Sequence, residues 1–177
     1  MQIVELLLHP VRIRIVQAAM DGAAITTSEL CARMPDVSKA TVYRHVALLV
    51  EGGLLKVVGE ERVRGAVERS YRLVHTRAVL TDAEVAAMST DDHRRGFAAA
   101  VTSLLAEFEV YLDRDGADPF TDGVSYRQFV LWLSEAEKAE LVEEVFAAIL
   151  ARSGQSQAPE RQRHLLSTIM FPADTGR

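Results

Sequence analysis

The side chains best suited to chemistry in this 177-residue chain fall together in the stretch SKATVYRH, Ser38 to His45. Ser38, Lys39, Thr41, Tyr43, Arg44 and His45 bring hydroxyls, two cations and two polar rings within two helical turns. On a helical wheel Val42, Val46 and Leu49 form one apolar stripe, at i, i+4 and i+7. Ala40, Tyr43, Arg44 and Ala47 lie across from it, with Thr41 at one edge and His45 near the boundary. Small Ala40 and Ala47 permit close approach to a surface. Thr41 suits a base edge or methyl group, Arg44 a guanine or a phosphate, and Lys39 a phosphate. These are the means of reading a DNA duplex, although an ordinary solvated helix face carries the same residue types. A second group, Arg62 and Arg64 in EERVRG, would sit at the tip of a hairpin, able to reach a minor groove or flanking phosphates. Arg69 and Arg72 follow, while Glu60 and Glu61 oppose them.

Other chemistries find little support. Cys31 is the one cysteine, so it forms no internal disulfide and no multi-thiolate zinc site. His9, His45, His75, His93 and His164 include no pair at helical ligand spacing. There is no phosphate-cradling Gly-rich loop, no nucleophile elbow and no HExxH. The carboxylates of EAEKAELVEE read as a solvated helix face. Tyr126, Phe129, Trp132 and Phe146 suit a core, or alternatively a small-molecule pocket. The expectation is a protein that is not an enzyme and uses no metal and no cofactor.

The elements that must hold these residues follow from period and punctuation. Leu6, Leu7, Val11, Ile15 and Ala18 recur at helix period from about Gln2 to Met20, with Pro10 starting or kinking the helix. Thr27 reads as the N-cap of a two-turn helix stopped by Pro35, and Ser38 as the cap of a third helix ended by Gly52-Gly53. LLKVVG and AVERSYRLV are short, Val- and Tyr-rich, and flank the charged EERVRG as a hairpin. A helix-turn-helix followed at once by a hairpin is a winged helix. Thr81 with Glu84 and Ser134 with Glu137 predict helix starts, and a long helix is expected to end near Asp113. Val124 to Leu133 reads as a covered strand, and RHLLSTIMF as a short helix or another strand.

Net charge is −5, but residues 1–76 carry ten Lys/Arg against eight Asp/Glu, and residues 77–177 ten against seventeen. The front is thus mildly basic and the back acidic. No apolar run approaches the roughly 20 residues of a membrane span. Residues 1–20 do not follow the layout of a signal peptide, so the expected location is cytoplasmic.

The stretches HPVRIRIVQAA and TTSELCARMPDVSKATVYRHVALLVEGGLLKVV, with the hairpin after them, resemble the ArsR-type winged-helix transcriptional regulators over about residues 4–74. The resemblance implies DNA-reading roles for Ser38, Lys39, Thr41, Tyr43, Arg44 and His45. Metal-sensing members carry Cys-x-Cys on the helix matching Ser28–Met34, where this chain keeps Cys31 alone. The back part, from DDHRRGFAAAV through DGVSYRQFVLWLS, is similar to tails that follow such domains in uncharacterised regulators.

The expected class is therefore mainly α with a small β component (α+β). A winged helix over 1–76 precedes a helical part over 77–177 with one or two short strands, serving dimerisation and leaving room for an effector. The expected function is a sequence-specific, homodimeric DNA-binding regulator. Its recognition helix at about 38–51 would enter the major groove, and its wing at about 59–66 would contact flanking DNA. Phe97, Val101, Leu104, Phe108 and Leu112 are the expected dimer stripe. The alternative is a winged-helix module that binds protein rather than DNA. The partners implied are double-stranded DNA, a second copy and an unidentified small-molecule effector, with no membrane.

Overall fold

The computed structural model describes residues 3–63, 65–155 and 158–173. Helix α1 (Ile3–Leu7) stops where Pro10 holds His9 in extended backbone, and α2 (Pro10–Ala18) restarts with the proline in its first turn. His9 Nδ1 accepts from the Val11 amide at 3.2 Å, so the histidine acts as the N-cap. Arg12 donates back to the carbonyls of Leu6 (2.5 Å) and Glu5 (2.6 Å), satisfying the end of α1.

Strand β1 (Ile25–Thr26) leads into α3 (Thr27–Arg33). The cap of α3 is Thr26, one residue before the Thr27 expected from sequence. Thr26 pairs with Ser70 in the sheet, which fixes it as extended, and it forms a reciprocal capping box with Glu29. Thr27 is left buried. Helix α4 (Lys39–Glu51) is capped by Ser38. It ends as a Schellman turn, with the Leu54 amide on the Leu49 carbonyl (2.9 Å) and the Gly53 amide on that of Val50 (3.0 Å). Gly53 takes φ +72°, and a side chain on Gly52 would collide with Leu6, so both glycines are needed.

Strands β2 (Leu55–Val63) and β3 (Ala66–Leu73) form the hairpin, with β1 added to β3 to give the antiparallel order β1-β3-β2. The strands run farther than the sequence indicated, because Gly59 lies within β2 at a bulge against Ser70 rather than at the flank of the turn. Leu6, Ile15, Leu30, Val42, Val46, Leu49, Leu54, Leu55, Tyr71 and Leu73 make the core. Cys31 is half-buried against it.

After a 3-10 turn (His75–Arg77) come α5 (Asp82–Ala86) and α6 (Thr90–Leu112), each opened by a capping box. One compact unit covers residues 1–117, so the division of contacts falls well beyond the 76/77 boundary read from charge and period. The reason is α6, which packs along α2. Ala99 and Ser103 are buried, and a Cβ on Gly96 would stand 3.2 Å from Leu8.

The second unit, residues 118–177, contains α7 (Glu135–Leu150), opened by the Ser134–Glu137 capping box. The overall class is α+β, as expected, but every strand among the described residues lies in the first unit. Among the described residues, 124–133 and 164–173 enter no ladder, where one or two short strands had been expected. Among the described residues of 118–173, none is buried.

Candidate nucleic-acid interface

The first turns of α4 present the residues that sequence singled out. Ser38, Lys39, Ala40, Tyr43, Arg44 and Ala47 are exposed, with Tyr43 at 56%. Thr41 is half-buried. Its hydroxyl lies 2.8 Å from that of Ser38, and its amide donates to the Ser38 oxygen at 3.3 Å. Both hydroxyls serve the helix start first, and each keeps spare hydrogen-bonding capacity for a base or phosphate. Lys39 and Arg44 form no ion pair among the described residues.

The start of α4, like that of α2, carries no acidic residue in its first turn. Helices α3, α5, α6 and α7 each carry Asp or Glu in the first turn, offsetting the positive end of the helix dipole. Helix α4 carries no acid there and places Lys39 at its first position. The result is an exposed, uncompensated positive end of the kind that accepts phosphate.

His45, read near the boundary of this face and among the DNA-contacting residues, is turned away from it. It is 3% exposed, three residues after Val42 and four before Leu49, on the side of the helix that meets the core. Its ring packs on that of His9 with centroids 4.3 Å apart. Among the described residues, neither of its ring nitrogens has a hydrogen-bond partner. Burial first, then the charges of a protonated His9, Arg12 and Arg44, lower its pKa to about 4, and His9 is lowered by burial and the same two arginines. His45 is thus a neutral core ring behind the exposed face of α4. The i+3 and i−4 spacing to Val42 and Leu49 was the sequence signal for this.

The hairpin carries the second group. Arg62 is exposed on β2 opposite Val67, and it too forms no ion pair among the described residues. Arg64, the other expected tip contact, lies outside the described residues. Arg69 is taken up by Glu60, its cross-strand neighbour, at 2.7 Å. Lys56 and Arg72 stand directly opposite each other, both exposed. Like charges at that register repel, so the pair holds positive potential at the hairpin base. Sequence reading passed over Lys56, because the pairing that places it beside Arg72 is set by register.

One buried cation ties these parts together. Arg14 of α2, 3% exposed, forks onto Asp36 in the α3–α4 turn at 2.6 and 2.8 Å. Its Nε donates to Glu107 of α6 at 2.7 Å. Burial by itself would lower the Arg14 pKa, but the hydrogen bonds to the two carboxylates leave it raised. The bond from Arg14 holds Asp36 below the usual carboxylate range. The start of the exposed helix is therefore anchored to both α2 and α6.

The expected dimer stripe lies on α6. Phe97, Val101 and Leu112 are exposed, while Leu104 and Phe108 are half-buried. Leu105, at 58% exposure, belongs to the same arc. At 100° per residue this arc lies well away from Gly96, which stands against Leu8, and from the buried Ala99 and Ser103. Among the described residues, no three His, Cys, Asp or Glu side chains gather as a metal site, and no helix is long and apolar enough to cross a membrane.

Residues 7–58 match the family model of a helix-turn-helix domain. The matched span runs from the end of α1 to the bulge in β2, under a third of the chain. No curated protein matches the chain.

Proposed function

We propose that this chain is a sequence-specific, homodimeric DNA-binding transcriptional regulator of the ArsR type, with α4 in the major groove and the hairpin on flanking DNA. The observation that carries the reading is the exposed first half of α4, free of carboxylates and of ion pairs, on a helix-turn-helix domain. Lys39 and the helix start grip phosphate, while Arg44, Tyr43 and Thr41 face base edges. Arg62 and the Lys56–Arg72 pair add phosphate contacts from the hairpin.

One such unit reads a few base pairs, and two copies on half-sites one helical turn apart supply the rest of the specificity. The α6 stripe of Phe97, Val101, Leu104, Leu105, Phe108 and Leu112 is the surface we assign to that pairing. Val101→Glu with Leu105→Glu changes exposed positions, so the first unit stays folded. Affinity for a two-fold duplex is expected to fall about tenfold or more, with half-site affinity unchanged. Equal affinity of parent and variant for the two-fold site contradicts the assignment.

The DNA contact is tested by Arg44→Ala. A good side-chain contact to a base is worth about 1–3 kcal/mol of discrimination, roughly ten- to hundredfold. The variant should lose that much affinity for a selected site and far less for random duplex. Equal losses make Arg44 a phosphate clamp. The second reading, a module that binds protein, is favoured by the net charge of −5 and by the Glu60–Arg69 pair on the hairpin. It predicts no duplex affinity at any salt concentration.

A further inference from the structure

We infer that His9, at the flank of α4, holds a phosphate of the duplex through its Nε2–H, beside the guanidinium of Arg44. This rests on the DNA-binding reading above. It adds to that reading a contact from outside both α4 and the hairpin.

The first support is the tautomer. His9 Nδ1 accepts from the Val11 amide at 3.2 Å, so that nitrogen is committed to the start of α2. A neutral imidazole that accepts at Nδ1 carries its proton on Nε2. The ring is held neutral by its burial, then by the charges of Arg12 and Arg44, all of which lower its pKa. The Nε2–H makes no hydrogen bond among the described residues. His9 is half-buried, and its Nε2 is not sealed in as the two nitrogens of His45 are.

The second support is placement. The His9 ring packs on that of His45 with centroids 4.3 Å apart, and His45 follows Arg44 on α4. Successive helical residues stand 100° apart, so His9 lies to the side of the helix and not on the face offered to base edges. Phosphates line that side. A helix with its side chains is about 10–12 Å across and the major groove about 12 Å wide. A helix seated there brings its flanks against the groove walls, where a donor meets phosphate oxygens and not bases.

The third support is charge. Helix α2 opens without a carboxylate, and Arg12 and Arg44 both act on His9. Arg12 donates to the carbonyls of Leu6 and Glu5, which holds its guanidinium at this corner. The Glu5 carboxylate, the acid that acts on Arg12, is paired with Arg95 of α6 at 3.2 Å. Behind His9, the 3% exposed His45 adds two ring nitrogens that no described residue satisfies. Two guanidiniums, an open ring donor and a positive helix end together favour an anion. With Arg44 on the face offered to the duplex, that anion is a phosphodiester of the same duplex.

The test is a scan in which each phosphate of a duplex selected for binding by the full chain is replaced in turn by a neutral methylphosphonate. The parent should lose about tenfold in affinity at one phosphate of each half-site, the one His9 holds. His9→Asn keeps an acceptor for the Val11 amide, and His9→Phe keeps a ring on His45, but neither places an N–H where Nε2 stands. Both variants should bind unmodified duplex about tenfold more weakly, selected and random sequence alike, because a phosphate contact carries no sequence information. In both, the loss at that phosphate should vanish while the other sensitive phosphates remain. Identical scans for parent and variants overturn the inference and leave the DNA-binding reading standing. Weakening by His9→Phe alone makes His9 a helix cap, and weakening by His9→Asn alone makes it a packing ring; either result also overturns the inference. A parent without duplex affinity removes the reading and the inference together.

Discussion

Replacing Arg14 by alanine is expected to cost the fold about 3 kcal/mol, the lower end of what breaking a buried ion pair costs. The guanidinium is almost completely buried, and it is the common partner of Asp36 and Glu107. Removing it leaves two carboxylates crowded at one site with no cation between them. The lower end applies because both retain some contact with water, Asp36 more than Glu107. Urea unfolding followed by circular dichroism should show a lower midpoint at unchanged slope. The pH dependence has a defined sign. Asp36 has a lowered pKa in the folded state, so its contribution is present above its unfolded pKa and is lost as pH falls through the folded value. Affinity for duplex should fall too, since Asp36 sits in the turn that sets the start of α4. A loss below about 1 kcal/mol would make the triad incidental to the fold.

The second large effect is acid sensitivity from His45. Its folded pKa is about 4 against 6.5 for the free side chain, so between those values the unfolded chain binds the extra proton. Stability is complete above pH 6.5, declines as pH falls, and levels off below about 4. The total loss is about 3 kcal/mol, of which about 2 has gone by pH 5. His9 acts in the same direction. His45→Leu keeps an apolar side chain in place of a ring whose two nitrogens are unsatisfied. It should therefore match or exceed the parent at pH 7.5 and lose most of the slope between pH 7 and 5. An undiminished slope in the variant would assign the acid sensitivity to other groups.

Much of the first unit was legible from local signals. Pro10, Ser38 and the Gly52-Gly53 pair act within a few residues of themselves, so the breaks and caps they dictate appear where expected. Thr26 against Thr27 shows the limit. Either threonine can cap, and the choice is made by pairing with Ser70, more than forty residues away. The candidate interface follows the same pattern. Lys39, Tyr43 and Arg44 face outward as the wheel requires, because the wheel needs only the apolar stripe of α4 itself. His45 lay at the boundary of that wheel, and its burial depends on His9 from another helix. The Arg14 triad joins residues 22 and 93 positions apart and leaves no trace at helical spacing. Residues 124–133 have the composition of a covered strand but enter no ladder among the described residues, since composition records a need for burial and not the element that supplies it.

The central claim is that this protein holds a duplex through the carboxylate-free start of α4 together with the cations of the hairpin. It is tested most directly by titrating salt against the affinity of the full chain for random-sequence duplex. Each phosphate neutralised contributes about −0.9 to the slope of log affinity against log salt. Lys39, Arg44, Arg62, Lys56 and Arg72 in each of two copies predict a steep slope for a dimer on DNA, about −9 where every one neutralises a phosphate and roughly −5 where half of them do. Absence of measurable binding at low salt, or an affinity indifferent to salt, would contradict the account.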